Sequence, residues 1–224
     1  MLRFSEEDHR LVTEAVARAE RLSDGEIVTI VAERSDAYHD VALHWSVLAM
    51  LLVPAAFAAA PQSLVDDISA MLLGWNAELT RPLLMLFLVI KLAIVFLIVR
   101  LLLAWRPLRM ALTPSGTKNR RVGRRALELF RVAAEKKTHG RTGILLYLSL
   151  MERRAEIVAD EAIHSKVAAE VWGEAMEALI DEVKDGRPGQ GMARAVDLMG
   201  EVLATAVPKT LADPNELPDR LIEL

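Results

Sequence analysis

Apolar positions near the N-terminus recur with a helical period. Leu11, Val12, Ala15, Val16, Ala19 and Leu22 share one face of a helix that starts at Ser5, with Asp8 three residues on, and ends at Ser23-Asp24-Gly25. The period then changes. Glu26–Ala32, EIVTIVA, is β-branched and apolar on both faces, the pattern of a buried strand. Two long apolar runs follow, Val41–Ala60 and Pro82–Trp105. Beyond them the helical period returns over Thr117–Lys137, with Val122, Ala126, Leu129, Phe130 and Ala133 on one face. After a turn at His139–Gly143, Ile144–Leu150 reads as a second strand, Glu152-Arg153-Arg154 as a tight turn and Ala155–Ala159 as a third strand. Two helical stripes come next, Val171, Ala175, Leu179, Val183 and then Met192, Ala195, Val196, Met199, Val202, Leu203, broken by Gly186-Arg187-Pro188-Gly189. Pro208, Pro214 and Pro218 predict a loose tail.

Neither half can bury its own strands, so the pattern predicts one α/β domain interrupted by an apolar hairpin. The expected divisions are 1–40, the first part of the domain; 41–105, the hairpin, with helices over 41–60 and 82–105; 106–208, the second part; and 209–224, a flexible tail.

Charge sharpens that division. Of 27 basic and 31 acidic residues, six lie in residues 41–105: Asp66, Asp67, Glu78, Arg81, Lys91 and Arg100. Twenty apolar residues at about 1.5 Å each cover a hydrocarbon core of roughly 30 Å, so each run is long enough to span a bilayer. Pro54 is tolerated in such a helix, and Trp105 suits an interfacial anchor. The alternative, a hairpin buried in a soluble core, seldom shows two runs this long with so little charge. Arg106, Arg109, Lys118, Arg120, Arg121, Arg124 and Arg125 follow the second run with no acidic residue among them. The positive-inside rule then places both termini in the cytoplasm, a multi-pass inner-membrane arrangement, with the connecting loop outside. In that loop Leu64, Val65, Ile68, Met71, Leu72 and Trp75 predict an amphipathic helix over 64–75. Lys91 falls near mid-span; it reads either as a partner contact or polar path, or as a snorkelling or oligomer-facing side chain without chemistry. The opening MLRFSEEDHRLV lacks the apolar core of a cleavable signal peptide.

The candidate chemistry is sparse. The chain has no cysteine, which excludes thiol catalysis, disulfides and Cys-ligated metal. Asp160 and His164 stand four apart after the third strand and suit either a shared metal or helix capping by Asp160 beside a surface histidine. Glu33, Asp36, His39 and Asp40 follow the first strand, expected at the equivalent end of the sheet. Asp36, Asp160 and Glu161 could therefore converge on a cation, calcium or magnesium, or belong to polar linkers; the spacing leaves both open. The basic run 118–125 favours lipid headgroups over nucleic acid, since it lies near a membrane run and lacks interleaved aromatics. No phosphate loop, GxSxG or HExxH is present.

Taken in order, several motifs resemble a known family. Ser23-Asp24-Gly25-Glu26-Ile27-Val28 resembles the opening of the TPM domain. Gly143-Ile144-Leu145-Leu146 followed by Glu152-Arg153-Arg154-Ala155-Glu156-Ile157 resembles its "N-G-V-L-L … D-D-R-x-V-x-I" hairpin. Trp172 to Asp185, Gly191 and the last amphipathic helix resemble its helical half. The likeness covers about 5–36 and 118–208 and is nearest to bacterial membrane proteins carrying a split domain. It implies a Rossmann-like small sheet with flanking helices. For some relatives it also implies acid-phosphatase activity with an acidic cation pocket, and for others a part in membrane-protein maintenance. Where the family has Asp-Asp before the hairpin arginine, this chain has Glu152 and Arg153.

Two functions are expected from this reading. The first is an integral membrane protein whose cytoplasmic TPM-like domain binds or maintains other membrane proteins without catalysis, with the bilayer and such proteins as partners and no nucleic acid. The alternative is a divalent-cation-dependent phosphatase acting on phosphomonoesters.

Overall fold

The computed structural model describes residues 4–64, 66–67, 80–133, 142–210, 217 and 219–224. They form two compact units, Met1–Asp36 with Ser115–Leu224, and Ala37–Pro114.

The first unit is built on a four-stranded sheet in the order β3-β2-β1-β4. Its strands are β1 (Glu26–Ala32), β2 (Gly143–Ser149), β3 (Arg154–Ala159) and β4 (Ile222–Glu223). β1 and β2 run parallel, with Glu26 opposite Gly143 and Ala32 opposite Ser149. The sheet is thus assembled from strands on both sides of the apolar hairpin. β2 and β3 are antiparallel through the turn at Glu152-Arg153, with Ile144 opposite Ala159. Arg153 adopts φ 50°, the left-handed region.

Period-two alternation sends side chains of the central strands to two cores. Ile27, Val31, Ile144, Leu146 and Leu148 join one core. There they meet α1 (Glu6–Glu20) and the two C-terminal helices Gly173–Lys184 and Pro188–Ala206. Val28, Ile30, Leu145 and Tyr147 join Val122, Ala126 and Phe130 of the basic helix Ser115–Ala133 in the other. Both faces of β1 and β2 are therefore covered, which is why their burial is continuous. α1 starts with the expected capping box, Ser5 Oγ accepting from the Asp8 amide and the Asp8 carboxylate from the Ser5 amide.

The tail departs from expectation. Within 209–224, expected to be flexible, Leu217 and Leu221 are buried, and β4 pairs parallel with β1 at Ile30 and Val31. The edge of β1 offers unpaired backbone N–H and C=O groups, and β4 takes them up.

The second unit holds α2 (His39–Ala59) and α3 (Arg81–Leu102), packed on one another, followed by the short α4 (Arg106–Ala111). Pro54 lies within α2 without ending it. Two helices of 21 and 22 residues are long and apolar enough to cross a membrane. Only 17% of the most apolar stretch of α2 is buried and none of that of α3, unlike a hairpin enclosed in a soluble core. Leu51, Leu52, Val89, Leu97 and Leu101 stay exposed. Trp45 Nε1 donates to the Leu112 carbonyl at 3.2 Å. The amphipathic helix expected over 64–75 lies largely outside the described residues. After the hairpin, the basic helix Ser115–Ala133 is α5, and the two C-terminal helices are α6 (Gly173–Lys184) and α7 (Pro188–Ala206). The short helical turns at Glu161–His164 and Ala169–Trp172 precede α6.

Candidate functional site

Polar side chains gather at the two ends of the sheet in the first unit. At the carboxyl end of β1 and β2, Glu152 is buried and accepts from the Ser35 amide at 2.8 Å through Oε1 and from Ser149 Oγ at 2.5 Å through Oε2. Ser35 Oγ and the Tyr147 hydroxyl lie 3.0 Å apart. Burial pushes the Tyr147 phenol above its ordinary range, against hydrogen bonds from Ser35 and Ser149. Lys118 is held below the usual range by desolvation and by the nearby Arg154 guanidinium. Asp36 meets Arg121 at 3.0 Å and Arg124 at 4.0 Å. With both Glu152 oxygens engaged, this end works as a clasp between the loop leaving β1 and the β2–β3 turn.

The amino end of the sheet is acidic. Glu20 Oε1 accepts from the Ile27 amide at 3.1 Å, and Glu26 Oε2 from the Leu217 amide at 3.2 Å. Desolvation pushes the Glu20 carboxyl up to about 8, with Glu26 and Asp219 adding to the effect and the Ile27 amide and Lys209 opposing it. Asp24 accepts from the Thr210 amide and hydroxyl at 2.8 and 2.7 Å. Desolvation alone would raise Asp24, but those bonds and Lys209 hold it below the usual carboxylate range. Asp160 is buried, and its carboxylate accepts from the Gly143 amide at 3.2 Å.

The expected cation pocket is not assembled. Asp36 follows the carboxyl end of β1, whereas Asp160 bonds to Gly143, whose strand partner is Glu26 at the amino end. A seven-residue strand separates these ends, about 20 Å at roughly 3.3 Å per residue. The cause is strand direction: β3 runs antiparallel to β2, so its end returns to the start of β2. Glu161 is exposed in the short turn that follows. Asp160 does occupy the N-cap position there, but its side chain makes no capping bond. Among the described residues, no group of three or more His, Asp or Glu side chains is placed to hold a metal.

The seven basic residues expected at a membrane surface divide. Arg120 and Arg124 are exposed on α5 and Arg106 on α4. Lys118 and Arg125 are half-buried, and Arg125 pairs with Glu128 at 3.5 Å. Arg121 turns inward to Asp36. Arg109 is buried in the second unit, where its Nη1 donates to His39 Nδ1 at 3.1 Å. Sequence reasoning passed over Glu20 and Glu152 as polar anchors. Glu20 did carry a signal, since a carboxylate at a helix C-terminus opposes the macrodipole and needs a local reason.

The NMR structure of the BA42 protein from the psychrophilic bacterium Bizionia argentinensis is similar, with a TM-score of 0.56 and 15% identity over 99% of this chain and 95% of that one. At that identity the likeness shows the fold. No curated protein matches the chain. The family model described as the TPM domain matches residues 108–202, a span that holds α5, β2, β3 and α6 and most of α7. This segment is therefore similar to the TPM domain, the family its motifs resemble.

Proposed function

We propose that this protein is a membrane-anchored binding module. In this reading α2 and α3 cross the inner membrane, the loop between them lies outside, and the α/β unit stands in the cytoplasm, where it holds or assists other membrane proteins. One observation carries it: two helices of spanning length keep their apolar side chains exposed, a surface that water disfavours and lipid accepts. The basic residues after α3 supply the orientation.

The binding reading is preferred to a phosphatase because Asp36 and Asp160, two carboxylates a shared cation would need, lie at opposite ends of the sheet and are engaged in the fold's own bonds. The chain has no cysteine, so single cysteines can report topology without background. Gln62→Cys and Glu161→Cys, each in the full chain in inverted inner-membrane vesicles, should differ: a membrane-impermeant maleimide labels position 161 and spares 62. Equal labelling of both, or release of the chain by alkaline carbonate, would overturn the proposal.

A further inference from the structure

The first unit holds a groove among its C-terminal helices. It is open, about 790 Å³ in volume, and formed between α6 with its preceding turn and the second half of α7. Its apolar lining includes Val171, Leu198 and Val202, with Val171 exposed to 48%. Glu174 contributes from one wall and Glu201 from the other. Lys166 also lines it, with its ammonium donating to the Ala206 carbonyl at 3.2 Å.

The carboxylates continue beyond the groove. Glu170, Glu174 and Glu177 are all exposed and follow one another at four- and three-residue spacing, about one helical turn apart. Along with Glu201, none has a basic side chain within ion-pair distance among the described residues. Other carboxylates of this unit are paired, as Asp197 is with Arg18 and Glu182 with Arg187. An apolar trough with unpaired carboxylates on its walls is the complement of a helix with an apolar stripe flanked by Lys and Arg.

We propose that this groove docks a cationic amphipathic segment from the cytoplasmic flank of a partner membrane protein, its apolar stripe on Val171, Leu198 and Val202 and its basic side chains on Glu174 and Glu201. The positive-inside rule makes such flanks rich in Lys and Arg, so the charge of the groove matches the class of partner. The source of the partner rests on the membrane-anchored reading above; the complementarity of the groove does not.

The full chain in phosphatidylcholine nanodiscs tests this against a fluorescent Leu/Lys peptide of about 18 residues, five helical turns with Leu on one face. A scrambled peptide of the same composition, a Leu/Glu counterpart and empty discs complete the set. The Leu/Lys helix should bind the chain beyond its binding to empty discs, with the scrambled and acidic peptides about tenfold weaker or worse. Glu174→Lys with Glu201→Lys should abolish that binding, and Glu174→Gln with Glu201→Gln should weaken it and flatten its salt dependence. Circular dichroism identifies a misfolded variant, and the Gln pair then decides. Equal binding by the variants or by the scrambled peptide overturns the proposal. So does a wild-type dimer that the Lys pair dissociates, since the occupant would then be a second copy. Entry of the chain into discs, read before peptide is added, tests the membrane reading separately: a chain that enters discs and ignores the peptide overturns the groove alone.

Discussion

Asp36 and Arg121 face each other at 3.0 Å across the point where the chain leaves the α/β unit and returns to it. Their side chains are 30% and 15% exposed, so the pair is only partly screened by water. Asp36→Ala and Arg121→Ala should each lower stability by about 1–2 kcal/mol. A double-mutant cycle by chemical unfolding should show coupling of the same order, and additive losses would mean that the contact contributes nothing.

The same closeness predicts how the hairpin can be removed. Joining Asp36 to Ser115 through a short Gly-Ser linker should leave a water-soluble folded domain, because Arg121 lies less than two turns into α5. Residues 106–224 alone should fail to fold, since they lack β1, which lies between β2 and β4. Amide dispersion in NMR spectra of the two chains would separate these outcomes.

Glu20 predicts a pH dependence with a definite sign. Its folded pKa, about 8, stands above the ordinary carboxylate value, so the native state holds a proton that the unfolded state has lost. Its contribution to stability is therefore full below about pH 4.5, declines as pH rises and is lost above about 8. Glu20→Gln keeps an acceptor for the Ile27 amide and should remove the decline, with a gain of about 2 kcal/mol at pH 9. Identical melting profiles for the two proteins from pH 5 to 9 would refute this.

Two backbone positions should respond in opposite directions. A Cβ at Gly200 would lie 2.7 Å from that of Ala19, so α1 and α7 pack through that gap, and Gly200→Val should cost about 2 kcal/mol or more. Arg153 holds φ 50° in the β2–β3 turn, and Arg153→Gly should stabilise by up to about 1 kcal/mol. Thermal unfolding of the two variants checks both signs.

Asp160 should prove structural. Asp160→Ala leaves the buried Gly143 amide without its carboxylate acceptor and should cost about 1–3 kcal/mol. Wild type and variant should hydrolyse a generic phosphomonoester equally poorly, with or without magnesium or calcium. Hydrolysis by the wild type that Asp160→Ala removes would restore the phosphatase reading.

Much of the fold was legible because it rests on periodicity. EIVTIVA, the GILLYLS strand and the stripe on α5 were readable from local pattern, and the continuous apolar runs marked α2 and α3. What escaped were features set by distant partners. β4 has two residues and no pattern of its own; it exists because β1 offers an edge. The candidate site failed for a similar reason. Asp36 and Asp160 each follow a strand, but which end of the sheet each reaches depends on strand direction, which no window of sequence contains. The inward turn of Arg121 and Arg109 was equally invisible, because a basic run looks the same whether its members face solvent or a buried partner.

The pairing of Ile27 with Ile144 also sets an order of events during synthesis. Ile144 follows Ile27 by 117 positions, which at about 5–20 residues per second take roughly 6–23 s to emerge. Throughout that interval an apolar β-branched strand has no partner on its β2 side, while the apolar hairpin behind it leaves the ribosome. Prompt capture of the hairpin by the membrane insertion machinery would tether that strand near the bilayer and keep nascent neighbours apart. In the membrane-anchored reading proposed above, slowed insertion would harm this protein first through aggregation of its α/β unit.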